Sequence, residues 1–268
     1  VIHQERRVLV MGILNMTPDS FYDGGHLLDA DAAIEAGLSM IEDGADLLDI
    51  GGESSRPGAE PVSPQQELTR VLPVLEGLRA RTAIPISIDT TKASVAKATL
   101  HAGADIINDI TALRFDPEMA RTISDARAKV ILMHMQGTAK TMQLEPHYND
   151  VVKEVSDFLM ERAKYAQAAG IPPSHIILDP GIGFGKLLEH NLSLLRQLPK
   201  LASCGYPVLV GLSRKSFLGR LLDLPVTERL EGTIAANTAA ILGGASIIRV
   251  HDVKEGRRTA DVAVLLKI

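Results

Sequence analysis

Short runs of aliphatic and β-branched residues alternate along the chain with longer stretches whose apolar positions recur every three or four residues. This is the signature of parallel strands joined by crossover helices. The runs predict strands at Val8–Leu14, Asp46–Ile50, Ile84–Ile88, Asp105–Asn108, Lys129–Met133, His175–Leu178, Pro207–Gly211 and Ser246–Val250. Helical spacing falls near Ala30–Asp43, Pro64–Arg81, Ala93–Ala102, Pro117–Ala126, Asp150–Ala169, Leu188–Leu198, Thr227–Gly243 and Glu255–Leu266. Asp29 and Asp31 stand where caps are needed, and Gly44, Gly103, Gly170 and Gly244 follow helices where a left-handed residue is required. A repeated Gly-Ala-Asp or Gly-Ala-Ser phrase leads into the strands at Asp46, Asp105 and Ser246, which implies one helix-to-strand turn used repeatedly. Eight even units, with no G-x-G-x-x-G after the first strand, favour an α/β fold closed as a (β/α)8 TIM barrel. The rival is a doubly wound open sheet. Residues 1–268 are then expected to form a single barrel domain.

Composition narrows the functions open to such a barrel. Hydrophobic residues at 46% and charged residues at 23% are ordinary for a globular chain that fills its own core. A formal charge of −5 gives no basic footprint, and 3% aromatics leave little for base stacking, so nucleic acid and anionic membrane are not expected as partners. The lone Cys204 forms no internal disulfide and fits a reducing cytoplasm. The opening residues lack the charged-then-apolar order of a signal peptide, and no apolar run is long enough to span a bilayer, so a cytoplasmic protein is expected.

In a closed barrel, chemistry sits at the C-terminal strand ends. Polar residues gather there: Asn15, then Glu53-Ser54-Ser55-Arg56, Asp89, Asn108-Asp109, His134, Asp179, Ser213-Arg214-Lys215, and Arg249 with His251. Asp89, Asn108 and Asp179 suit a flat heterocycle rich in N–H donors, and Lys215 offers the complementary donor. The plainer alternative makes Asp89 and Asn108 caps of the following turns. Arg249 and His251, two apart on one strand, project the same way toward one anion. With Arg56 and Asn15 nearby they read as a phosphate or diphosphate site that Mg²⁺ would help neutralise. The alternative there is a surface ion pair between Arg249 and Asp252.

The glycine-rich run Asp179-Pro-Gly-Ile-Gly-Phe-Gly-Lys186 is not a P-loop, because Leu187 stands where Ser or Thr is required. It is read as a pliable backbone close to a ligand, covered by Phe184, with Lys186 a solvated helix start. Three connections, Thr17 to His26, Gly52 to Pro64 and Gln136 to His147, exceed the usual length and point to lids or binding loops, disorder being the competing reading for the last. Phe21 and Pro57 are apolar residues placed to close over a second substrate. Zinc-protease, C-x-x-C and G-x-S-x-G signatures are absent, and Cys204 lies before the seventh strand, away from the catalytic end.

Taken in order, these residues resemble a known family. Met11-Gly-Ile-Leu-Asn-Met-Thr-Pro-Asp-Ser-Phe21 with Asp23-Gly-Gly25, and Asp49-Ile-Gly-Gly-Glu-Ser-Ser-Arg-Pro-Gly-Ala59, resemble the two signatures of dihydropteroate synthases. Ser87-Ile-Asp-Thr90, Asn108-Asp-Ile110, Asp179-Pro-Gly181 with Phe184-Gly-Lys186, Ser213-Arg-Lys215 and Arg249-Val-His-Asp252 extend the resemblance to the C-terminus. It implies condensation of 6-hydroxymethyl-7,8-dihydropterin diphosphate with p-aminobenzoate to 7,8-dihydropteroate and pyrophosphate in folate biosynthesis, with Mg²⁺ and a homodimer.

Carried over by position, the resemblance implies that Asp89, Asn108, Asp179 and Lys215 hold the pterin in a slot lined by Met133, Gly211 and Phe184. Asn15, Arg56, Arg249 and His251 then serve the diphosphate, Asn15 on the metal side, and Phe21, Ser55, Arg56, Pro57, Lys215 and Ser216 surround the aminobenzoate. Asp89, Asp179, Lys215, Arg249 and His251 are the expected catalytic set. Ser55 stands where the family more often has threonine, and Met16 where valine is commoner; the first shifts aminobenzoate or sulfonamide affinity, the second is neutral packing. No strong base is evident, and an arylamine needs none, which favours dissociative loss of pyrophosphate. The rival is a pterin-binding methyltransferase of the same superfamily, which has no use for a diphosphate site.

Overall fold

The computed structural model describes residues 7–16, 30–56, 58–138 and 140–266. Its strands are β1 (Leu9–Asn15), β2 (Leu47–Gly51), β3 (Ile86–Asp89), β4 (Ile106–Asp109), β5 (Lys129–Met133), β6 (Ile176–Asp179), β7 (Leu209–Gly211) and β8 (Ile247–Val250). All run parallel in the order 6-5-4-3-2-1-8-7. A bridge between Leu178 and Val208, with the Leu178 N–H donating to the Pro207 carbonyl at 2.9 Å, joins β6 to β7 and closes the barrel.

The surrounding helices are α1 (Ala30–Glu42), α2 (Pro64–Arg79), α3 (Ala93–His101), α4 (Met119–Asp125), α5 (Val151–Ala168), α6 (Leu188–Arg196), α7 (Leu198–Ala202), α8 (Ser216–Leu222), α9 (Leu230–Leu242) and α10 (Val253–Leu266). Two of them differ from the pattern reading. Pro199 has no N–H to continue α6, so a separate short α7 follows. The seven residues of α8 are too few to show a clear period, and they end at Asp223 in the left-handed region, φ 54°. Gly44, Gly103, Gly170 and Gly244 do take positive φ, between 97° and 104°, as the helix ends required. Among the described residues no helix is long and apolar enough to cross a membrane.

Several strands also begin later than their hydrophobic runs predicted, and the Gly-Ala-Asp phrase explains two of them. The Asp46 carboxylate accepts the Val10 N–H at 2.8 Å, and Asp105 accepts the Ile86 N–H at 2.8 Å. Each aspartate is a corner that ties its own strand to the preceding one before the ladder starts. Arg257 and Arg79, from helices, complete the two corners.

Side chains alternate across the strands, so inward and outward faces are separate cores. Outward residues such as Val10, Leu48, Ile88, Ile107, Leu132, Leu178, Val210 and Ile248 pack under the helices. Inward, Met11, Leu47, Ile106, Ile131, Ile177, Leu209 and Ile247 make an apolar plug. Each such buried side chain contributes roughly 1.5–3 kcal/mol. The plug floors whatever lies above it.

Candidate active site

Two residues further along the strands, most positions of the same inward face turn polar. Leu47 is followed by Asp49, Ser87 by Asp89, Ile106 by Asn108, Ile131 by Met133, Ile177 by Asp179, Leu209 by Gly211 and Ile247 by Arg249. Asp49 is fully buried and accepts from Asn108 Nδ2 at 3.1 Å and Arg249 Nε at 2.6 Å. Arg249 Nη2 reaches Asp89 at 3.4 Å. The surface pairing of Arg249 with Asp252 does not form; Asp252 is held by Arg214, at 2.9 and 2.6 Å. Asp49 is a site residue that the motif reading passed over, although its place two positions after inward Leu47 marks it.

This layer is buried without being satisfied. Among the described residues, Asp49 Oδ1, Ser87 Oγ and Asn108 Oδ1 are buried with no hydrogen-bond partner, whereas buried polar groups in folded proteins nearly always have one. Burial, then the charge of Asp49, pushes the Asp89 carboxyl up to about 8 against the pull of Arg249. Burial likewise raises Asp179, opposed by Lys215 and by the Gly181 N–H, which donates to it at 2.7 Å. Lys215 is lowered to about 8 by burial, with Arg249 reinforcing and Asp179 opposing. Such a site has donors and acceptors facing open space and gains from a ligand that supplies the partners.

The walls of the slot are apolar. Lys215 Nζ donates to the Ile182 carbonyl and lies 4.6 Å from the centre of the Phe184 ring. Met133 packs with Met135 and Met142, and Phe184 leans on that cluster. At Gly211 a Cβ would lie 3.8 Å from Lys215 Nζ and 3.9 Å from Arg249 Cβ, ordinary contact distances, so the bare backbone borders the space between these two side chains.

The glycine run corrects the sequence reading. Gly181, Gly183 and Gly185 all have positive φ, and a Cβ would sit 2.0 Å from the His134 carbonyl oxygen at Gly181 and 2.6 Å from that of Gln136 at Gly185. Close backbone packing against the segment after β5 is what demands glycine. The loop is pinned, and Lys186 pins it. That ammonium is buried, not solvated, and donates to the carbonyls of Gly181 and Phe184, both at 2.9 Å. It lies 3.0 Å from His134 Nδ1 and is lowered to about 7 by burial. His134 is itself buried against Phe158, ring centres 4.8 Å apart, and held neutral by burial and by Lys186. Neither residue faces the slot as a free polar group. The connection after β5 is closed on itself as well, Gln136 exchanging two hydrogen bonds with the His147 backbone at 3.0 and 3.1 Å.

Around the rim the charge turns positive. His251 Nδ1 lies 3.0 Å from Ser213 Oγ, and desolvation followed by Arg249 lowers the ring to about 4 against the opposing charge of Asp252, with Arg214 and Arg56 adding smaller pushes in the same direction as Arg249. Three guanidiniums thus bear on one imidazole. Asn15 ends β1 opposite Gly51. A Cβ on Gly51 would lie 3.7 Å from Asn15 Oδ1 and 3.9 Å from Asp89 Oδ2, so the amide and the carboxylate border one small recess. Ser55 is half-buried, while Arg56 and Ser216 are exposed at the mouth. Pro57, Asp29 and the whole connection from Thr17 to His26, Phe21 included, lie outside the described residues. Among the described residues no three His, Cys, Asp or Glu side chains gather as a metal cluster.

An acidic, amide-lined slot over an apolar floor, bounded by arginines at the mouth of an eight-stranded barrel, defines an enzyme built for a flat nitrogen heterocycle carrying an anion. Residues 11–251 match the pterin binding enzyme family. Over 259 residues the chain is 49% identical to the dihydropteroate synthase of Synechocystis, covering 96% of this chain and 90% of that one. The Yersinia pestis dihydropteroate synthase, solved with a sulfonamide drug complex, superposes with a TM-score of 0.93 at 45% identity over 97% of this chain and 94% of that one. The Xanthomonas albilineans enzyme in complex with 7,8-dihydropteroate gives a TM-score of 0.87 at 45% identity, over 97% and 94% of the two chains. The chain belongs to the dihydropteroate synthase family and is a transferase.

Proposed function

We propose that this site joins 6-hydroxymethyl-7,8-dihydropterin diphosphate to p-aminobenzoate, releasing pyrophosphate and 7,8-dihydropteroate. The observation that carries the residue-level reading is the adjacency of two unlike fields: a carboxylate and amide slot at Asp49, Asp89, Asn108 and Asp179, and a guanidinium rim around His251. The pterin's ring N–H and amino groups supply donors to Asp89 and Asp179, and Lys215 donates to its acceptors. Phe184, Met133 and the bare Gly211 accept its faces. Arg249, bonded at Nε to Asp49, stands between slot and rim and with His251 and Arg56 takes the diphosphate charge.

An arylamine is largely unprotonated at neutral pH, so the nucleophile needs no base. What the reaction needs is stabilised departure of pyrophosphate from the methylene, whose C–O bond breaks as positive charge spreads into the electron-rich ring. Arg249, Arg56 and His251 stabilise the leaving oxygens, and Asp179 stabilises the ring. The amine nitrogen, delivered by the segment holding Ser55 and Arg56 with Lys215 and Ser216 at its far wall, forms the new C–N bond and sheds its proton to solvent. Phe21 and Pro57 are assigned to the same arylamine site.

Asn15 offers a hard amide oxygen beside Asp89 over Gly51, and these oxygens would hold Mg²⁺, a cation that takes oxygen ligands. When bound, the ion supplies charge neutralisation to the leaving group. We also assign a second copy of the chain to the outer face of α9 and α10, where Leu242, Val262, Leu265 and Leu266 are exposed. A reducing, cytoplasmic setting fits the lone thiol of Cys204.

The test mixes purified protein with both substrates and Mg²⁺ and follows pyrophosphate and dihydropteroate together. No product at saturating substrates ends the proposal. Incubation without the amine separates mechanisms: pyrophosphate release with capture of the pterin methylene by water supports dissociative departure, and strictly amine-dependent cleavage opposes it. Sedimentation equilibrium tests the dimer, which a monomer at all concentrations rules out.

A further inference from the structure

A buried triad at the base of the connection after β2 has no part in the chemistry above. Lys92 Nζ donates to Glu53 Oε2 at 2.8 Å and to Glu67 Oε2 at 2.6 Å. The Glu67 side chain is wholly buried, and those of Lys92 and Glu53 are 11% and 21% exposed. Burial works against the ammonium, but its bonds to the two carboxylates outweigh that and raise its pKa. Two carboxylates share one cation, and Glu67 Oε1 is left with no partner among the described residues. Replacing buried ion networks by apolar groups of similar volume is often neutral or stabilising, so stability alone is a poor account of this one.

Its placement gives a better account. Glu53 also accepts the Val62 N–H through Oε1 at 2.8 Å, so one carboxylate holds both ends of the segment that carries Ser55 and Arg56. Below it, Arg70 Nη1 donates to the Gly52 carbonyl at 2.7 Å, and a Cβ on Gly52 would come within 2.7 Å of Val71 Cγ2 and 2.9 Å of Glu67 Cγ. The segment's foot is therefore pressed onto α2, whose start is fixed by a reciprocal cap between Ser63 and Gln66.

Lys92 comes from the end of the neighbouring strand, β3, which pairs with β2. It stands three residues after Asp89, its N–H donates to Thr90 Oγ1 at 3.2 Å, and the Thr90 N–H donates to the Asn108 carbonyl at 3.1 Å. The chain of contacts runs from the strand ends that form the slot to the foot of the Ser55-Arg56 segment.

We propose that Lys92, Glu53 and Glu67 are positioning residues, a latch that registers the Ser55-Arg56 segment against the slot and thereby sets the affinity for the arylamine; this rests on assigning that segment to the arylamine. The latch touches no substrate, so its loss should divide the kinetic constants. Glu53→Gln keeps the shape and removes the charge. It is expected to raise KM for p-aminobenzoate about tenfold while the Kd for the pterin diphosphate, measured by calorimetry, stays within about twofold. Lys92→Met should do the same, and Lys92→Arg should restore most of the loss. If Lys92→Met fails to fold, the Glu53→Gln comparison still decides.

Arg56→Ala is the reference variant. If it raises the arylamine KM and Glu53→Gln does not, the latch is wrong and the segment's assignment stands. If Arg56→Ala itself leaves that KM unmoved, the assignment falls and takes the latch with it. Equal loss of pterin and arylamine binding in Glu53→Gln also overturns the latch.

Discussion

The two ends of the barrel use the same residue, aspartate, in opposite ways. At the N-terminal end Asp46 is filled: it accepts from the Val10 N–H at 2.8 Å and is paired with Arg257 at 3.0 Å and Arg7 at 2.5 Å. Asp105 repeats the arrangement with the Ile86 N–H and Arg79. At the C-terminal end Asp49 keeps a buried oxygen unpartnered, and Asp89 and Asp179 are pushed toward their neutral forms by burial. One end has spent its hydrogen-bonding capacity on the fold. The other holds it in reserve for a ligand, at a cost in stability that the filled end and the apolar plug offset.

The largest expected effect separates the ends by exchanging what each loses. Asp179→Ala should weaken pterin binding by about a hundredfold or more, since it removes a charge-assisted acceptor from a buried site. A carboxyl whose pKa is raised on folding lowers stability above its unfolded pKa, so relief of that penalty in Asp179→Ala should offset the loss of the Gly181 N–H bond and leave the thermal midpoint nearly level. Asp46→Ala should do the reverse. Stranding the Val10 N–H and the Arg257 guanidinium costs about 2 to 4 kcal/mol, on the order of 10 °C in Tm, with substrate constants unchanged. Calorimetric titration and thermal unfolding of the two variants decide it, and a stable Asp46→Ala protein with lost activity would erase the distinction.

A smaller effect follows from pH. Free Asp89 titrates near 8, and a ligand that donates N–H groups to its carboxylate lowers that value, so binding at pH 7 should release a proton. Affinity then rises from pH 6 toward 8, by at most about tenfold per unit. Above 8 it falls as Lys215, also near 8, loses the proton it donates. Calorimetry in buffers of different ionisation enthalpy measures the proton count. A rise that persists unchanged in Asp89→Asn would assign it to another group.

How far the sequence carried this contrast depends on the distance over which each feature is encoded. Period-2 alternation and strand-end polarity are local, and they placed Asn15, Asp89, Asn108, Asp179, Lys215, Arg249 and His251 on one end of a closed barrel. Gly181 and Gly185 looked pliable because the reason for each lies in a backbone oxygen, of His134 and of Gln136, well upstream in the chain. Lys186 looked solvated for the same reason: its partners are carbonyls assembled by the loop it pins. Asp49 was passed over although its place two positions after inward Leu47 marks it, whereas Lys92 is defined by Glu53 in the connection after β2 and Glu67 on α2, 39 and 25 residues earlier, which no local pattern pairs with it.

The smallest effect probes the boundary of the reserved end. Ser55 occupies a position where a threonine would keep the hydroxyl and add one methyl, and Ser55 is already half-buried beside exposed Arg56. Burying one methyl is worth about 0.8 kcal/mol, so Ser55→Thr should lower KM for p-aminobenzoate by up to about fourfold and leave pterin affinity alone. The change adds no charge and removes no hydrogen bond, so it reports only whether this position faces the arylamine. A shift in pterin affinity instead would move the segment onto the slot. An unchanged KM would mean that the methyl points to solvent and that Arg56 alone of the pair meets the amine.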